Sequence, residues 1–304
     1  MTDYHPQVFG LGQCSLDYLG TIKSFPQVDT KCEFENLTIQ GGGPVATALV
    51  ALSRWGISTA FAGVIGSDWF GSVIRESLKD EGIDTGGLVT RQGCASQFAF
   101  IVAEPGLARR TIFWRRPTGP PLKPDEVDHT LLRRARVLHT DGLFADASLA
   151  ACKAARKAGV TVVVDAGSLR SGMLDLARES DYFIASEVFA KALVGDDNPL
   201  HACERIAALG PMTAGVTLGA KGYVALDRGS IIQRPAFRVD AVDTTGCGDV
   251  FHAGFVYGLI HRWGTEKSME FAAWAAAQAS LRLGGRAGIP GRKRVREWET
   301  AKTR

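Results

Sequence analysis

The stretch VDTTGCGDVFHAGFVYGLI, Val242 to Ile260, decides the reading of this chain. Gly246 and Gly248 flank Cys247, Asp249 follows, and an apolar run at helical spacing begins. A helix N-terminus carries unpaired N–H donors and a partial positive charge. Glycines let the backbone close around an anion without side-chain obstruction. Gly246, Cys247 and Gly248 therefore suit an anion hole for a phosphate, with the following helix aimed at it. Asp249 then stands where an incoming hydroxyl meets that phosphate, placed to take its proton as general base. Taken alone, so short a motif reads equally well as a loop with an N-cap aspartate.

Working outward, the second half of the chain alternates short apolar runs with helical ones. ARVLHTDG, VTVVVDAG, YFIASE and TAGVTLG read as strands, and ASLAACKAARKAG as a helix between two of them. That rhythm implies βαβ units with right-handed crossovers and a parallel sheet covered on both faces. GYVALDRGSIIQRPAF reads as a late hairpin. Helices over 250–261 and 266–283 follow, and the basic RKRVRE reads as a solvated tail. His252, just after the motif, either approaches the phosphates or is a first-turn residue on the outer face of the first of these helices, and the second reading is preferred. In the first half, QVFGLG, CSLDYLGTI and KCEFENLTIQ read as strands. GGGPVATALVALSRWG reads as a glycine turn, a helix with Pro44 near its start, and Gly56 as its stop. SQFAFIVAE and RRTIFWRR read as a hairpin around Pro105 and Gly106. The expectation is one doubly wound α/β domain over 1–304, with extra strands from 14–40 and 96–116 forming a small flap. In such sheets ligands bind beyond the C-terminal strand ends.

Composition narrows the function. Hydrophobic residues make up 45% and charged residues 22% of 304, as for a globular protein with a sizeable core. A net charge of +3 with no long basic run argues against nucleic acid as a partner. No apolar run is long enough to span a bilayer, and the N-terminus lacks the pattern of a signal peptide. The six cysteines are scattered without a CxxC pair, as in a reduced, cytoplasmic protein.

The chain lacks a P-loop and a G-x-G-x-x-G after its first strand. Over nearly its whole length it resembles the PfkB, or ribokinase-like, carbohydrate kinases. DTTGCGDVFHAGF resembles their C-terminal signature, and GGGPVATALVALSRWG their N-terminal glycine signature. GLGQCSLDYLG resembles their first strand with its substrate aspartate, and VTLGAKG their nucleotide-binding strand end. The resemblance implies a ribokinase-like, doubly wound Rossmann-like α/β fold with a small β-strand lid. It also implies transfer of the γ-phosphoryl group of ATP to a hydroxyl, usually primary, of a sugar. By the same resemblance Asp249 matches the catalytic base and Gly246, Cys247 and Gly248 the anion hole. The Cys247 thiol, where Ala is usual, is read as a tolerated small side chain and not as a nucleophile. Asp17, Gly41 and Gly42 match sugar-binding positions, and Thr217 and Gly219 match positions that contact ATP. Asp243 and Thr245 match a loop that holds a monovalent cation, often potassium, in some members. Magnesium is the expected divalent ion.

Several positions depart from the family pattern. Ala46 and Ser15 stand where ribokinases carry sugar-binding asparagines. SEVF replaces the N-x-x-E segment that organises magnesium, leaving Glu187 as either a water-mediated magnesium contact or a helix-capping acid. Gly288 stands where some relatives place a hydroxyl near the monovalent ion. Strand alternation places Arg110, Ile112, Trp114 and Arg116 on one face and Arg109, Thr111, Phe113 and Arg115 on the other. Arg110, helped by Lys31 and Arg170, would suit a sugar carrying an anionic group. Arginines at a strand edge equally serve to keep that edge solvated. Phe98, Phe100, Phe113 and Trp114 would pack either a lid-to-lid homodimer or the hairpin on its own domain. Two alternatives to a sugar kinase remain at this point: a nucleoside kinase of the same superfamily, and a non-catalytic regulator that binds sugar or nucleotide.

Overall fold

The computed structural model describes residues 5–104 and 109–302; the turn expected at Pro105 and Gly106 lies outside them. In chain order the strands are β1 (Val8–Leu11), β2 (Ser15–Thr21), β3 (Glu35–Gly42), β4 (Thr59–Gly66), β5 (Asp84–Arg91), β6 (Phe98–Glu104) and β7 (Arg109–Arg115). They continue as β8 (Val137–Thr140), β9 (Thr161–Ala166), β10 (Tyr182–Ser186), β11 (Thr213–Thr217), β12 (Tyr223–Asp227) and β13 (Ser230–Arg234). The helices are α1 (Pro44–Arg54), α2 (Trp69–Asp80), α3 (His129–Arg134), α4 (Ala145–Lys157), α5 (Met173–Arg178), α6 (Glu187–Val194), α7 (Pro199–Ala207), α8 (Cys247–Ile260), α9 (Thr265–Ala279) and α10 (Arg292–Ala301).

Nine strands form the main sheet in the order β13-β12-β11-β10-β9-β8-β1-β4-β5. From β5 to β11 every neighbour is parallel; β12 and β13 add an antiparallel hairpin at one edge. The central strands are apolar on both sides because both faces are covered. Val8 of β1 joins one core with α1, α8 and α9, while Phe9 and Leu11 join the other with α4 to α7. The chain order reverses between β1 and β8, so the crevice beyond their C-terminal ends is where a ligand is expected.

The remaining strands make a separate four-stranded sheet in the order β3-β2-β6-β7. Its register puts Asp17 beside Ala99 and Ala99 beside Trp114. Further along the same face come Thr21, Ala103 and Arg110. Arg110 therefore shares a sheet face with Asp17. The opposite face packs on α2, through Tyr18 and Phe98 on Phe70 at ring distances of 6.1 and 5.6 Å.

Two local expectations are corrected. The RKRVRE segment is not a solvated tail: it opens α10, which Val295 and Trp298 anchor in the core. An apolar residue every third or fourth position gives even this basic segment a buried stripe. His252 is not on an outer helix face, because α8 has none: Val250 to Gly258 are all buried. A helix that is apolar all round lies inside the molecule, and its one histidine goes inside with it.

Candidate active site

The site is built at the N-terminus of α8. Gly246, its N-cap, adopts a left-handed conformation with φ +73°. A Cβ there would lie 2.6 Å from Gly285 Cα, so the position demands glycine twice over. The loop ahead is tied down by Asp243. Its Oδ1 accepts from the Thr245 N–H (2.9 Å) and hydroxyl (2.8 Å), and its Oδ2 from the Gly284 N–H (2.8 Å). The Cys247 N–H donates to the Thr244 carbonyl at 3.3 Å. The first regular helical bond is Val250 N–H to the Gly246 carbonyl, at 2.9 Å. Gly248 and Asp249 keep N–H groups without an acceptor among the described residues. Burial pushes the Cys247 thiol up to about 12, so it carries no thiolate at neutral pH.

Burial raises Asp249 well above the ordinary carboxylate range, and the charges of Asp165, Asp17 and Asp141 push it further; Arg110 acts in the opposite direction. Four carboxylates thus converge here from β2, β9, the end of β8 and α8. Asp17 is also raised, first by burial, against a hydrogen bond from the Ser15 hydroxyl at 2.7 Å and the charge of Arg286. Its carboxylate lies over Gly42, where a Cβ would come within 2.0 Å of Oδ2. Gly41 serves the other side of the strand: the buried Arg286 guanidinium lies against it, with Nη1 2.4 Å from where a Cβ would be. Arg110 reaches across from the second sheet, and its Nη1 donates to the Thr244 hydroxyl. Lys31 is exposed, and Arg170 donates to the Asp141 carbonyl at 3.0 Å. A cavity of about 600 Å³ lined by Thr21, Thr38, Asn36, Val242 and Leu283 lies between this sheet and the Asp243 loop.

Thr217 ends β11, and Gly219 opens a 3-10 turn at φ +57° with nothing within 4 Å of a Cβ. Lys221 of that turn pairs with Glu187 at 3.0 Å, and Lys191 approaches the same oxygen at 3.5 Å. The Lys221 hydrogen bond holds Glu187 below the usual carboxylate range. Ser186 caps α6, accepting from the Phe189 N–H at 3.1 Å, so Glu187 is a first-turn residue and not the cap. Asp243 and Thr245 are in contact, but Glu187 contacts its lysines and neither of them. Among the described residues no group of three or more His, Cys, Asp and Glu could hold a metal ion. At Gly288 a Cβ would fall 2.0 Å from the Ala279 carbonyl oxygen, which leaves no room for a hydroxyl side chain.

Sequence reasoning did not assign Asp141, Asp165, His139 or Arg286. Asp141 is held by the N–H groups of Gln13 and Leu143, each at 2.9 Å, and burial raises it to about 7. His252 Nδ1 lies 2.8 Å from the Gly248 carbonyl and 3.5 Å from Asp165, and its ring stacks on the fully buried His139 at 5.7 Å. The two aspartates had a usable signal, since each stands at the C-terminal end of an apolar strand, in LHTDG and VVVDAG.

The sequence model of the pfkB family carbohydrate kinases matches residues 6–292. Fructokinase-1 of Zea mays is 30% identical over 279 residues, 83% of each chain. The ribokinase of Haemophilus influenzae is 27% identical over 299 residues, covering 95% of this chain and 96% of that one. The crystal structure of a ribokinase from Thermotoga maritima superposes with a TM-score of 0.84 at 22% identity, covering 97% of this chain and 99% of that one. No described helix is long and apolar enough to cross a membrane.

Proposed function

The chain belongs to the pfkB family of carbohydrate kinases, and from that premise we propose that it transfers the γ-phosphoryl group of ATP to a sugar hydroxyl with Asp249 as general base. It is a phosphotransferase with an alcohol acceptor, as its fructokinase and ribokinase relatives are named. One observation carries the finer reading: a carboxylate with a raised pKa stands in the first turn of α8, beside two unpaired N–H groups. Asp17, its hydroxyl partner Ser15 and the backbone at Gly41 and Gly42 hold the sugar from the second sheet, which acts as a lid. Asp249 takes the proton of the attacking hydroxyl. The new O–P bond forms as the bond from the γ-phosphorus to the bridging oxygen breaks, and ADP leaves. The N–H groups of Gly248 and Asp249, with Gly246 giving the turn its shape, face the charge that develops on the phosphoryl oxygens. Thr217 and Gly219 receive the nucleotide at an open strand end.

When magnesium is bound with ATP, it offsets charge on the transferring group. The protein's own donors suit that mode of binding: the mutual repulsion of Asp17, Asp141, Asp165 and Asp249 is relieved by a cation. Magnesium held largely by phosphates and water needs one or two carboxylates and no all-protein cage. Glu187, already paired with two lysines, is the weaker candidate for it. Asp243 and Thr245 would shape a potassium loop by the bonds that already hold it closed.

ADP release across neutral sugars, acidic sugars, sugar phosphates and nucleosides tests the assignment. Turnover on a sugar class is expected; turnover confined to nucleosides, or absent throughout, would remove it. Within the sugars, Arg110 favours an acceptor with an anionic group, because it shares the Asp17 face and is tethered through Thr244. Arg110→Ala should then raise KM for an acidic sugar about tenfold, the worth of one charged hydrogen bond. KM for a neutral sugar should hardly move. Equal effects on both would sink the anionic acceptor.

A further inference from the structure

At the opposite end of the main sheet's strands, where β1 and β8 begin, a cavity of about 450 Å³ collects positive charge. Arg136, just ahead of β8, lines it together with Arg292 and Arg296, one turn apart on α10. Residues at that spacing share a helix face. None of the three makes an ion pair among the described residues. The cavity's carboxylate, Glu299, accepts from the Tyr257 hydroxyl at 3.0 Å. Three arginines against one glutamate leave a local excess of two, in a chain whose whole formal charge is +3.

The surroundings are built to hold that charge in place. The Arg292 guanidinium rests on Gly56, whose Cβ would come within 2.9 Å of Cζ. The floor is a packed aromatic cluster: Tyr257 meets Trp55 edge-on at 5.6 Å and His261 at 4.0 Å. The N-terminus of α10, where Arg292 stands, has no side-chain cap. The carbonyls at the end of α8 oppose an anion, and His261 lies with Nδ1 2.9 Å from one of them, that of Tyr257.

We propose that this cavity is a second anion site, taking a phosphate dianion either free or as a small phosphate ester. Guanidinium forks converging from two elements match its oxygens pairwise. It is distinct from the catalytic cleft, because the 14 residues of α8 separate the two, about 21 Å at the helical rise. The proposal does not depend on which sugar is phosphorylated.

Isothermal titration at constant ionic strength, with inorganic phosphate and with glycerol 3-phosphate, tests it. Wild type is compared with Arg136→Ala, with the Arg292→Ala/Arg296→Ala double variant, and with Arg115→Ala as a matched charge loss on the second sheet. A saturable site should weaken about tenfold for each cavity arginine removed and be unchanged in Arg115→Ala. Phosphate should also raise the Tm of wild type more than that of Arg136→Ala, whose melt without ligand reports its folding. Saturable binding of phosphate alone, of the ester alone or of both supports the site, and the tighter-binding ligand identifies its source. The proposal is overturned if neither binds wild type saturably, if the double variant binds as wild type does, or if Arg115→Ala weakens binding as much.

Discussion

Asp249→Asn is expected to lower kcat by about 10²- to 10⁴-fold, the usual worth of a positioned general base, with little change in KM. Asn keeps the shape and polarity of the side chain but cannot accept the hydroxyl proton. The pH profile supplies an independent check. A base acts when deprotonated, and burial with three neighbouring carboxylates raises Asp249. Wild-type kcat should therefore climb with pH through a value above the ordinary carboxylate range, and the variant should lose that limb. Stability should move the other way. The folded state holds this proton more tightly than the unfolded chain does. The stability contributed is fully present below the unfolded pKa and is lost as pH rises through the folded one. At neutral pH the native aspartate is thus a liability, and Asn should raise Tm, by about 1–2 °C per kcal/mol in a chain of this size. Rising stability with falling kcat is the trade expected of a strained catalytic group. Equal kcat in both proteins would remove Asp249 as the base, and a lower Tm would remove the repulsive cluster.

Gly246→Ala should be nearly as damaging, by a different route. The left-handed backbone resists any Cβ, and that atom would lie 2.6 Å from Gly285 Cα. Strain and overpacking together should cost about 1–3 kcal/mol of stability. Moving the turn also misaims the N–H groups of Gly248 and Asp249, which should lower kcat about 10²- to 10³-fold, as for other lost oxyanion donors. Gly248→Ala provides the contrast, since nothing lies within 4 Å of its Cβ. Its fold should survive, so a kcat loss there reports the anion hole and not the scaffold. If Gly246→Ala melts and turns over like wild type, the turn does not set the donor geometry.

How much of this was legible follows from the range of the forces involved. Most of the order of strands and helices, though not β5, and the break at the glycine turn of residues 246–248 are local properties. They depend on apolar periodicity, on φ restrictions and on which N–H groups a helix start leaves unpaired. The parallel sheet and the late hairpin followed from the same patterns. Local reading failed where a side chain's meaning depends on what packs against it. RKRVRE looks solvated by composition, yet Val295 and Trp298 find a core made by α8 and α9. His252 looks like an outer-face residue until α8 proves buried on every side.

By itself the sequence determined the fold class and the family, because those are written in spacing and in backbone-permissive glycines, and it offered Asp249 as the candidate base. The tertiary structure decided which acids face one another, why Gly41 and Gly42 carry no side chain, and where Arg110 reaches. Asp17, Asp141, Asp165 and Asp249 span more than two hundred residues of chain, yet burial in one cleft couples their charges. Charge coupling depends on distance through space and on exclusion of water, and neither is a property of neighbours along the chain.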